Sequence, residues 1–304
     1  MLALTGGTGF VGSTVLDEAL AQGWRVRALT RREQPARDGV DWVRGTLADE
    51  TALAALCAGV GDPADAVLHV AGLTRAFNAE AFEAANVEGT AALITAVKAA
   101  GVARFVLVSS LAAREPLLSA YGASKARAET LVRESGLDWS IVRPPAVYGP
   151  RDTDMLEVFR TAKLGIVPLP PRGATSIIHA EDLARLLLAL AERGRLKHTY
   201  EPDDGREGGW GHRELAQAVG RAIGKRSVFA PHLPEMVLRL AARADRLVRG
   251  EHAKLTADRA GYLAHPNWVA RSASAPPSNV WEPLIEGEEG LKSTAAWYRA
   301  EGWL

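Results

Sequence analysis

The sequence lacks several features that would tie the protein to a nucleic acid, a membrane or a metal. Its 304 residues carry 36 Lys and Arg against 36 Asp and Glu, so no net charge attracts an anionic polymer or surface. A single cysteine, Cys57, excludes an internal disulfide and a cysteine-built zinc site. The most apolar run, residues 183–191, is shorter than the roughly 20 residues that span a bilayer, and no basic and apolar leader precedes Gly6. We therefore predict a cytoplasmic protein with no metal, no nucleic-acid partner and no membrane partner.

Short apolar runs alternate with Ala- and Leu-rich helical stretches through the first half of the chain. Several helical stretches end near a glycine, which closes a helix by adopting the left-handed conformation. Strand, helix, glycine and strand in succession indicate βαβ units, so we predict an α/β fold with a doubly wound parallel sheet of the Rossmann type. The predicted strands cover residues 2–5, 24–29, 40–43, 67–70, 105–108, 139–142 and 198–200.

The regular alternation weakens in the second half of the chain, where prolines cluster and tryptophans become frequent. This change predicts two regions. We expect a dinucleotide-binding core at 1–147, to which 177–200 return, and a smaller substrate-binding lobe at 148–176 and 201–304. Asp182 is expected to cap the helix that follows it.

A glycine-rich turn follows the first strand and opens the first helix. Gly6, Gly9 and Gly12 give this turn the GxxGxxG spacing, and the same turn also satisfies GxGxxG. A dinucleotide site needs glycine here because the turn is tight, the backbone must approach the pyrophosphate, and the helix must pack closely on the strand. A turn without a ligand is the alternative, but the position between a strand and a helix favours the dinucleotide site.

The end of the second strand indicates which dinucleotide is preferred. NAD sites place an Asp or Glu there to bind the ribose 2′-hydroxyl, whereas NADP sites place an Arg nearby for the 2′-phosphate. In this chain Thr30 is followed by Arg31 and Arg32. We predict NADP(H) as the preferred cofactor, with Arg31 on the phosphate and Arg32 assisting, while NAD(H) stays possible. Two solvated loop arginines are the alternative interpretation.

A candidate catalytic group combines a phenol, an ammonium and a hydroxyl. Tyr121 and Lys125 lie four residues apart, which places them on one face of a helix. A nearby ammonium favours a phenolate, and this suits a general acid and base. Ser110 follows a predicted strand, at the sheet edge where ligands bind in open α/β folds. Its hydroxyl can orient a substrate oxygen.

With these motifs the sequence resembles the extended branch of the short-chain dehydrogenase/reductase family, which includes NAD-dependent epimerases and dehydratases. The resemblance implies that Tyr121 exchanges a proton with the substrate oxygen and that Lys125 binds the nicotinamide ribose. It also implies that Ser110 holds the substrate oxygen and that Asn86 holds a water for proton relay. The similar segments are 6–12, 86–90, 121–125, 143–150 and the closing helix at 291–304.

The resemblance also implies a wider set of cofactor contacts. Family members usually carry an Asp after the third strand, against the adenine; this chain has Thr46 there, so no carboxylate contact with the adenine is expected. The expected cofactor-binding residues are Gly6, Gly9, Phe10, Val11, Gly12, Thr30, Arg31, Arg32, Thr46, Leu47, Val70, Ala71, Gly72, Lys125, Pro144 and Val147.

The substrate is expected to be mostly apolar. Residues 164–171 are apolar and proline-rich, where nucleotide-sugar enzymes of the branch carry a polar clamp, and the Pro144–Pro145 pair resembles dihydroflavonol reductases and hydroxysteroid dehydrogenases. We predict hydride transfer between NADP(H) and a carbonyl or secondary alcohol of a small molecule. A nucleotide-sugar epimerase or dehydratase and a non-catalytic NAD(P)-binding sensor or assembly protein stay open as alternatives. The family also suggests a homodimer.

Overall fold

The computed structural model describes residues 1–76, 78–194, 196–250 and 256–304, and the chain divides into two compact units. The first unit comprises Met1–Arg143, Leu183–Glu201 and Pro276–Glu282, and the second comprises Pro144–Asp182, Pro202–Ala275 and Pro283–Leu304.

Helices separate most, but not all, of the successive strands described as far as residue 200. The strands are β1 (Leu2–Thr5), β2 (Val26–Thr30), β3 (Val40–Arg44), β4 (Ala66–His69), β5 (Arg104–Val108), β6 (Asp138–Val142), β7 (Ala146–Tyr148), β8 (Ala174–Thr175), β9 (Ile177–His179), β10 (His198–Tyr200), β11 (Trp210–Gly211) and β12 (Asn267–Trp268). The α-helices are α1 (Phe10–Ala21), α2 (Glu50–Ala58), α3 (Ala79–Phe82), α4 (Gly89–Ala100), α5 (Ala120–Glu134), α6 (Asp154–Lys163), α7 (Ala180–Glu192), α8 (His212–Ala222), α9 (Glu235–Arg249), α10 (Ala257–Leu263) and α11 (Gly287–Ala300). Within the described ranges, no helix has both the length and the apolar composition to cross a membrane.

A seven-stranded parallel sheet forms the centre of the first unit and confirms the predicted Rossmann-type fold. The strand order is β10-β6-β5-β4-β1-β2-β3, and each neighbouring pair is parallel. The order reverses between β1 and β4, and ligands of open α/β sheets bind beyond the carboxyl ends of the strands at such a point. Thr5 and His69 are the last residues of these two strands.

Helices pack on this sheet through apolar side chains. Leu53 of α2, Leu93 and Val97 of α4, and Phe105 and Ile141 of the sheet belong to one cluster of fully buried residues. Each such side chain contributes about 1.5–3 kcal/mol when it leaves water. The strands β1 and β4 are buried on both faces, which explains why they are continuous apolar runs rather than alternating ones.

The second unit has its own small sheets and its own core. β7 pairs in parallel with β9, and β8 lies between β11 and β12. The core contains Tyr148, Phe159, Trp210, Leu291 and Tyr298, with the rings of Phe159 and Tyr298 packed edge to face at 5.4 Å. Residues 144–147 and 177–182, which we expected in the dinucleotide-binding core, belong to this unit, where β7 and β9 pair with each other and not with the large sheet.

The predicted role of Asp182 is wrong. The helix begins earlier, at Ala180, so Asp182 lies inside its first turn rather than at its cap. Its buried carboxylate accepts the backbone N–H groups of Leu284 and Ile285, at 3.2 and 3.0 Å. Asp182 therefore holds a segment more than a hundred residues away in sequence, which no local pattern could indicate.

Candidate active site

The glycine-rich turn joins β1 to α1 through tight backbone contacts. The Gly9 N–H donates to the Gly6 carbonyl at 2.9 Å, and Gly9 is the N-cap of the helix. A Cβ at Gly12 would lie 1.9 Å from the Gly6 carbonyl oxygen, so only glycine lets the helix approach the turn this closely. With no side chain at the cap, the first backbone N–H groups of α1, from Phe10 and Val11 onward, suit a phosphate.

The same turn lies against the loop that follows β4. Gly6 has φ +76°, and a Cβ there would lie 2.7 Å from the backbone nitrogen of Ala71. Farther along this loop, a Cβ at Gly72 would lie 3.0 Å from Asn86 Oδ1 and 3.4 Å from Lys125 Nζ. The structure therefore brings the loop containing Val70, Ala71 and Gly72 between the glycine-rich turn and the candidate catalytic helix.

Lys125 is buried in the first unit at the end of β5. Its Nζ donates to the backbone carbonyl of Val108 at 2.7 Å, and the side chain is nearly inaccessible. Burial lowers the pKa of Lys125 from 10.5 to about 8, and the nearby Glu129 carboxylate opposes that effect. Tyr121 lies one helical turn earlier on the same face of α5, and its ring packs on Phe82 at 5.8 Å between centroids.

Ser110 begins the short 3-10 turn Leu111–Arg114 directly after β5. Its Oγ accepts the Ala112 N–H at 3.1 Å. The turn packs tightly on α5, because a Cβ at Gly122 would lie 2.7 Å from the Ala112 carbonyl oxygen. Ser110 therefore begins the turn that contacts the start of α5, the helix that carries Tyr121 and Lys125.

Asn86 lies in a π-helical turn, Glu83–Glu88, of the kind often found at functional sites. Its side-chain amide donates to the Leu73 carbonyl and to Ser124 Oγ, and its oxygen accepts the Leu73 N–H at 2.8 Å. Ser124 Oγ donates in turn to the Tyr121 carbonyl. Asn86 therefore clamps the loop after β4 to the helix that carries Tyr121.

A buried histidine that the sequence analysis did not single out connects this clamp to the glycine-rich turn. The hydroxyl of Thr90 donates to the Asn86 carbonyl at 2.6 Å, so it accepts from Nε2–H of His69 at 3.0 Å. Nδ1 of His69 then accepts from the Thr5 hydroxyl at 2.7 Å, while that hydroxyl accepts the Ala71 N–H. When His69 is neutral, each hydrogen-bonding group in this series has a partner. Burial, together with the Lys125 charge, lowers the pKa of His69 to about 3.

A buried network of ion pairs and hydrogen bonds lies in the same region of the first unit. Glu129, four residues after Lys125, accepts hydrogen bonds from Ser109 at 2.6 Å and from two nitrogens of Arg143 at 2.8 and 2.6 Å. Arg143 also contacts Glu201, which pairs with Arg114 at 3.1 Å. Burial would raise the pKa of Glu129, but the hydrogen bonds and charges of Arg143, together with the Ser109 hydrogen bond, outweigh burial and lower it. The spacing of Tyr121, Lys125 and Glu129 by four residues was the sequence signal for this network.

The remaining predicted cofactor residues lie at three places. Thr30 ends β2 and its Oγ1 donates to the Arg32 carbonyl at 2.8 Å; Arg31 and Arg32 are exposed, and neither has an ion-pair partner among the described residues. Thr46 and Leu47 follow β3, where Leu47 packs against the start of α4. Pro144 and Val147 belong to the second unit, with Val147 in β7.

Comparison with known proteins agrees with this geometry. A family model described as NAD(P)H-binding matches residues 6–193. A ceramide reductase from Caulobacter vibrioides is 37% identical over 100% of this chain and 96% of its own length. A 4-hydroxy-2-methyl-3-oxo-4-farnesyl-3,4-dihydroquinoline-1-oxide ketoreductase from Stigmatella aurantiaca is 34% identical over 66% of this chain and 67% of its own. A 2-alkyl-3-oxoalkanoate reductase from Stenotrophomonas maltophilia is 28% identical over 97% and 98% of the two chains.

Solved structures show the same fold at low sequence identity. The Bordetella bronchiseptica enzyme WbmH in complex with NAD+ matches with TM-score 0.75 and 20% identity, over 99% of this chain and 98% of the other. The human epimerase family protein SDR39U1 with NADPH also gives TM-score 0.75 at 20% identity, over 97% and 99%.

The fold, the glycine-rich turn and the group at α5 define an NAD(P)-dependent oxidoreductase. The chain belongs to the NAD(P)H-binding family, and its fold is that of the epimerase-family structures to which its motifs pointed.

Proposed function

We propose that the protein is an NADPH-dependent reductase that converts a ketone on a long-chain, ceramide-type lipid into a secondary alcohol. Three relatives support this substrate class, because they are a ceramide reductase, a ketoreductase of a farnesylated oxo compound and a reductase of 2-alkyl-3-oxoalkanoates. All three act on molecules with a hydrocarbon chain. The full-length similarity to the ceramide reductase is the observation that carries the proposal.

The residues of the first unit are suited to binding a dinucleotide and to donating a proton. Gly12 lets α1 pack closely on the glycine-rich turn, because a Cβ there would lie 1.9 Å from the Gly6 carbonyl oxygen, and this close packing is a feature of dinucleotide-binding turns. When bound, the reduced nicotinamide would supply a hydride to the carbonyl carbon. Tyr121 would give the proton to the carbonyl oxygen, Ser110 would hold that oxygen, and Lys125 would bind the ribose and favour the Tyr121 phenolate afterwards. Ketone, NADPH and a proton thus become secondary alcohol and NADP+.

The choice of NADPH rests on Arg31 and Arg32. Both guanidiniums are exposed beyond β2, and no described carboxylate neutralises them. A charge-assisted hydrogen bond to a phosphate contributes about 1.5–3 kcal/mol, which corresponds to about a tenfold to hundredfold change in affinity. Arg31→Ala should therefore weaken NADPH binding by about that factor and leave NADH binding unchanged, as measured by cofactor fluorescence. Equal affinity of the wild-type protein for NADPH and NADH would refute the preference.

The reaction is tested by following NADPH absorbance with an oxidised ceramide, which carries a ketone in place of its secondary hydroxyl, in detergent micelles. Turnover by the wild type and a loss of about a hundredfold or more in Tyr121→Phe would support the proposal, because that variant keeps the ring and lacks the proton. Unchanged NADPH affinity in the variant is the control for an intact site. Turnover of UDP-glucose with NAD, and none of the oxidised ceramide, would replace the proposal with epimerase chemistry.

A further inference from the structure

Two segments of the second unit pair as a short parallel ladder. The Phe229 N–H donates to the Gly165 carbonyl and the Val167 N–H donates to the Phe229 carbonyl, both at 2.8 Å. Val167, Val228 and Ala230 point into the core of the unit and are almost fully buried. Because side chains alternate along extended backbone, the residues between them point outward.

The outward positions of this ladder are apolar, although polar side chains are the rule there. Phe229 is 68% exposed and Ile166 is 40% exposed, and Leu164, just before the ladder, is 81% exposed. We call these three residues the apolar ridge. Scattered apolar residues are ordinary on a protein surface, but a group brought together by paired backbone is typical of an interaction site.

Within the two segments that form the ladder, all Lys, Arg, Asp and Glu residues are of one sign. Lys163 precedes Leu164, and Lys225 and Arg226 precede Phe229; all three are exposed. Neither residues 161–171 nor residues 223–234 contain an Asp or a Glu. Although the chain as a whole has no net charge, this local surface is therefore both apolar and basic. Exposed charges that lie farther apart than a Debye length, about 8 Å at physiological salt, are largely screened, so the local charge matters more here than the net charge of the chain.

The helix that follows extends the exposed apolar surface along the chain. α9 begins shortly after the ladder, and Met236 and Leu240, four residues apart on one face, are 72% and 55% exposed. Leu238 and Ala242 on the other face are buried. A helix with apolar residues on its outer face, next to basic residues, is typical of segments that lie in a membrane interface.

We infer that the apolar ridge, with Lys163, Lys225 and Arg226, is a docking surface for an anionic lipid bilayer. The apolar side chains would enter the interface while the basic groups contact lipid phosphates, and no spanning helix is needed for this mode. The inference revises the expectation of no membrane partner. It goes beyond the proposed function, because it concerns where the protein binds rather than what it reduces.

The test is sedimentation of the purified protein with phosphatidylglycerol vesicles, without substrate. We expect binding that weakens at high salt and with neutral phosphatidylcholine. The double variant Lys225→Gln/Arg226→Gln should reduce partitioning about tenfold or more, as should Leu164→Ser/Phe229→Ser. Because turnover is not measured, an error in the proposed substrate would leave this result unchanged.

Matched controls separate the surface from general effects of charge and polarity. Lys98→Gln/Arg299→Gln removes two exposed basic groups elsewhere, and Leu284→Ser removes an exposed leucine that is not part of the ridge. Both should bind like the wild type, and all variants should retain wild-type NADPH affinity as evidence of folding. No sedimentation of the wild type, equal losses in the controls, or conversion of a dimer to a monomer by the ridge variants would overturn the inference.

Discussion

At the scale of single residues, Lys125 illustrates a conflict between the stability of the protein and the catalytic role that we propose for this residue. Burial lowers its pKa to about 8, so near neutral pH the folded protein holds an ammonium in a site that disfavours charge. Each tenfold change in a proton equilibrium is about 1.4 kcal/mol, so the charged form costs about 3 kcal/mol at pH 7. A lysine retained at that cost is expected where its charge is used.

Lys125→Met should therefore raise the free energy of unfolding at pH 7 by about 1–3 kcal/mol, after allowing for the lost hydrogen bond to Val108, while abolishing turnover. Between about pH 8 and 10.5 the folded wild type releases a proton that the unfolded chain keeps, so its stability rises with pH and the difference from the variant narrows. Urea titrations at pH 7 and 9 measure both effects. The control Lys98→Met, at an exposed position on α4, should change little. A Lys125→Met protein less stable than the wild type would contradict this account.

His69 makes an acid-side prediction. Its pKa is lowered to about 3 in the folded protein. Below pH 6.5 the unfolded chain therefore binds a proton that the folded protein does not bind. Stability from this residue is complete above pH 6.5 and is lost as the pH falls, by about 2 kcal/mol between pH 7 and 5. Between pH 7 and pH 5 the free energy of unfolding of His69→Gln should therefore fall by about 2 kcal/mol less than that of the wild type. Urea unfolding at the two pH values measures this difference. An NMR titration in which the His69 ring protonates near pH 6.5 would show the prediction to be wrong.

At the scale of elements, the contact between the 3-10 turn and α5 should set the position of Ser110 relative to Tyr121, the proposed catalytic residues. A Cβ at Gly122 would meet the Ala112 carbonyl at 2.7 Å, and backbone cannot yield as a flexible side chain can. Gly122→Ala should push Ser110 away from Tyr121 and reduce kcat about a hundredfold, since small displacements of reacting groups cost about that much.

Because the glycine-rich turn is elsewhere, NADPH affinity of Gly122→Ala should stay near that of the wild type in a fluorescence titration. Gly211→Ala is the matched control: its backbone is unstrained and the nearest atom to a new Cβ is at 3.9 Å, so its kcat should not change. Wild-type kcat in Gly122→Ala would show that this close packing does not position Ser110.

At the scale of the whole molecule, cofactor binding should appear as stability. A ligand that binds only the folded protein, at a hundred times its Kd, raises the free energy of unfolding by about 2.7 kcal/mol. NADPH at that concentration should do so, and NADH, if it binds tenfold more weakly, should add only about 1.4 kcal/mol at the same concentration. Calorimetry of the wild type and of Arg31→Ala measures the stabilisation by each of the two cofactors. Equal stabilisation by both cofactors in the wild type would contradict the assignment of the arginines.

The homodimer suggested by the family is a second property of the whole molecule and stays a prediction. Light scattering of the purified protein should give twice the mass of the chain. The division of labour between the two units, with the dinucleotide in the first and substrate selectivity in the second, is likewise a proposal.

The sequence by itself determined the parallel sheet, the glycine-rich turn and the helix face shared by Tyr121 and Lys125. Each of these depends on spacing within a few residues, so periodicity and glycine placement suffice to predict it. Only the tertiary structure decided that His69 is neutral, that Glu129 anchors Arg143, that Asp182 holds Leu284 and Ile285, and that Phe229 faces outward. These properties depend on which groups meet after the chain has folded, and burial and long-range hydrogen bonds set them, whereas a local sequence pattern does not.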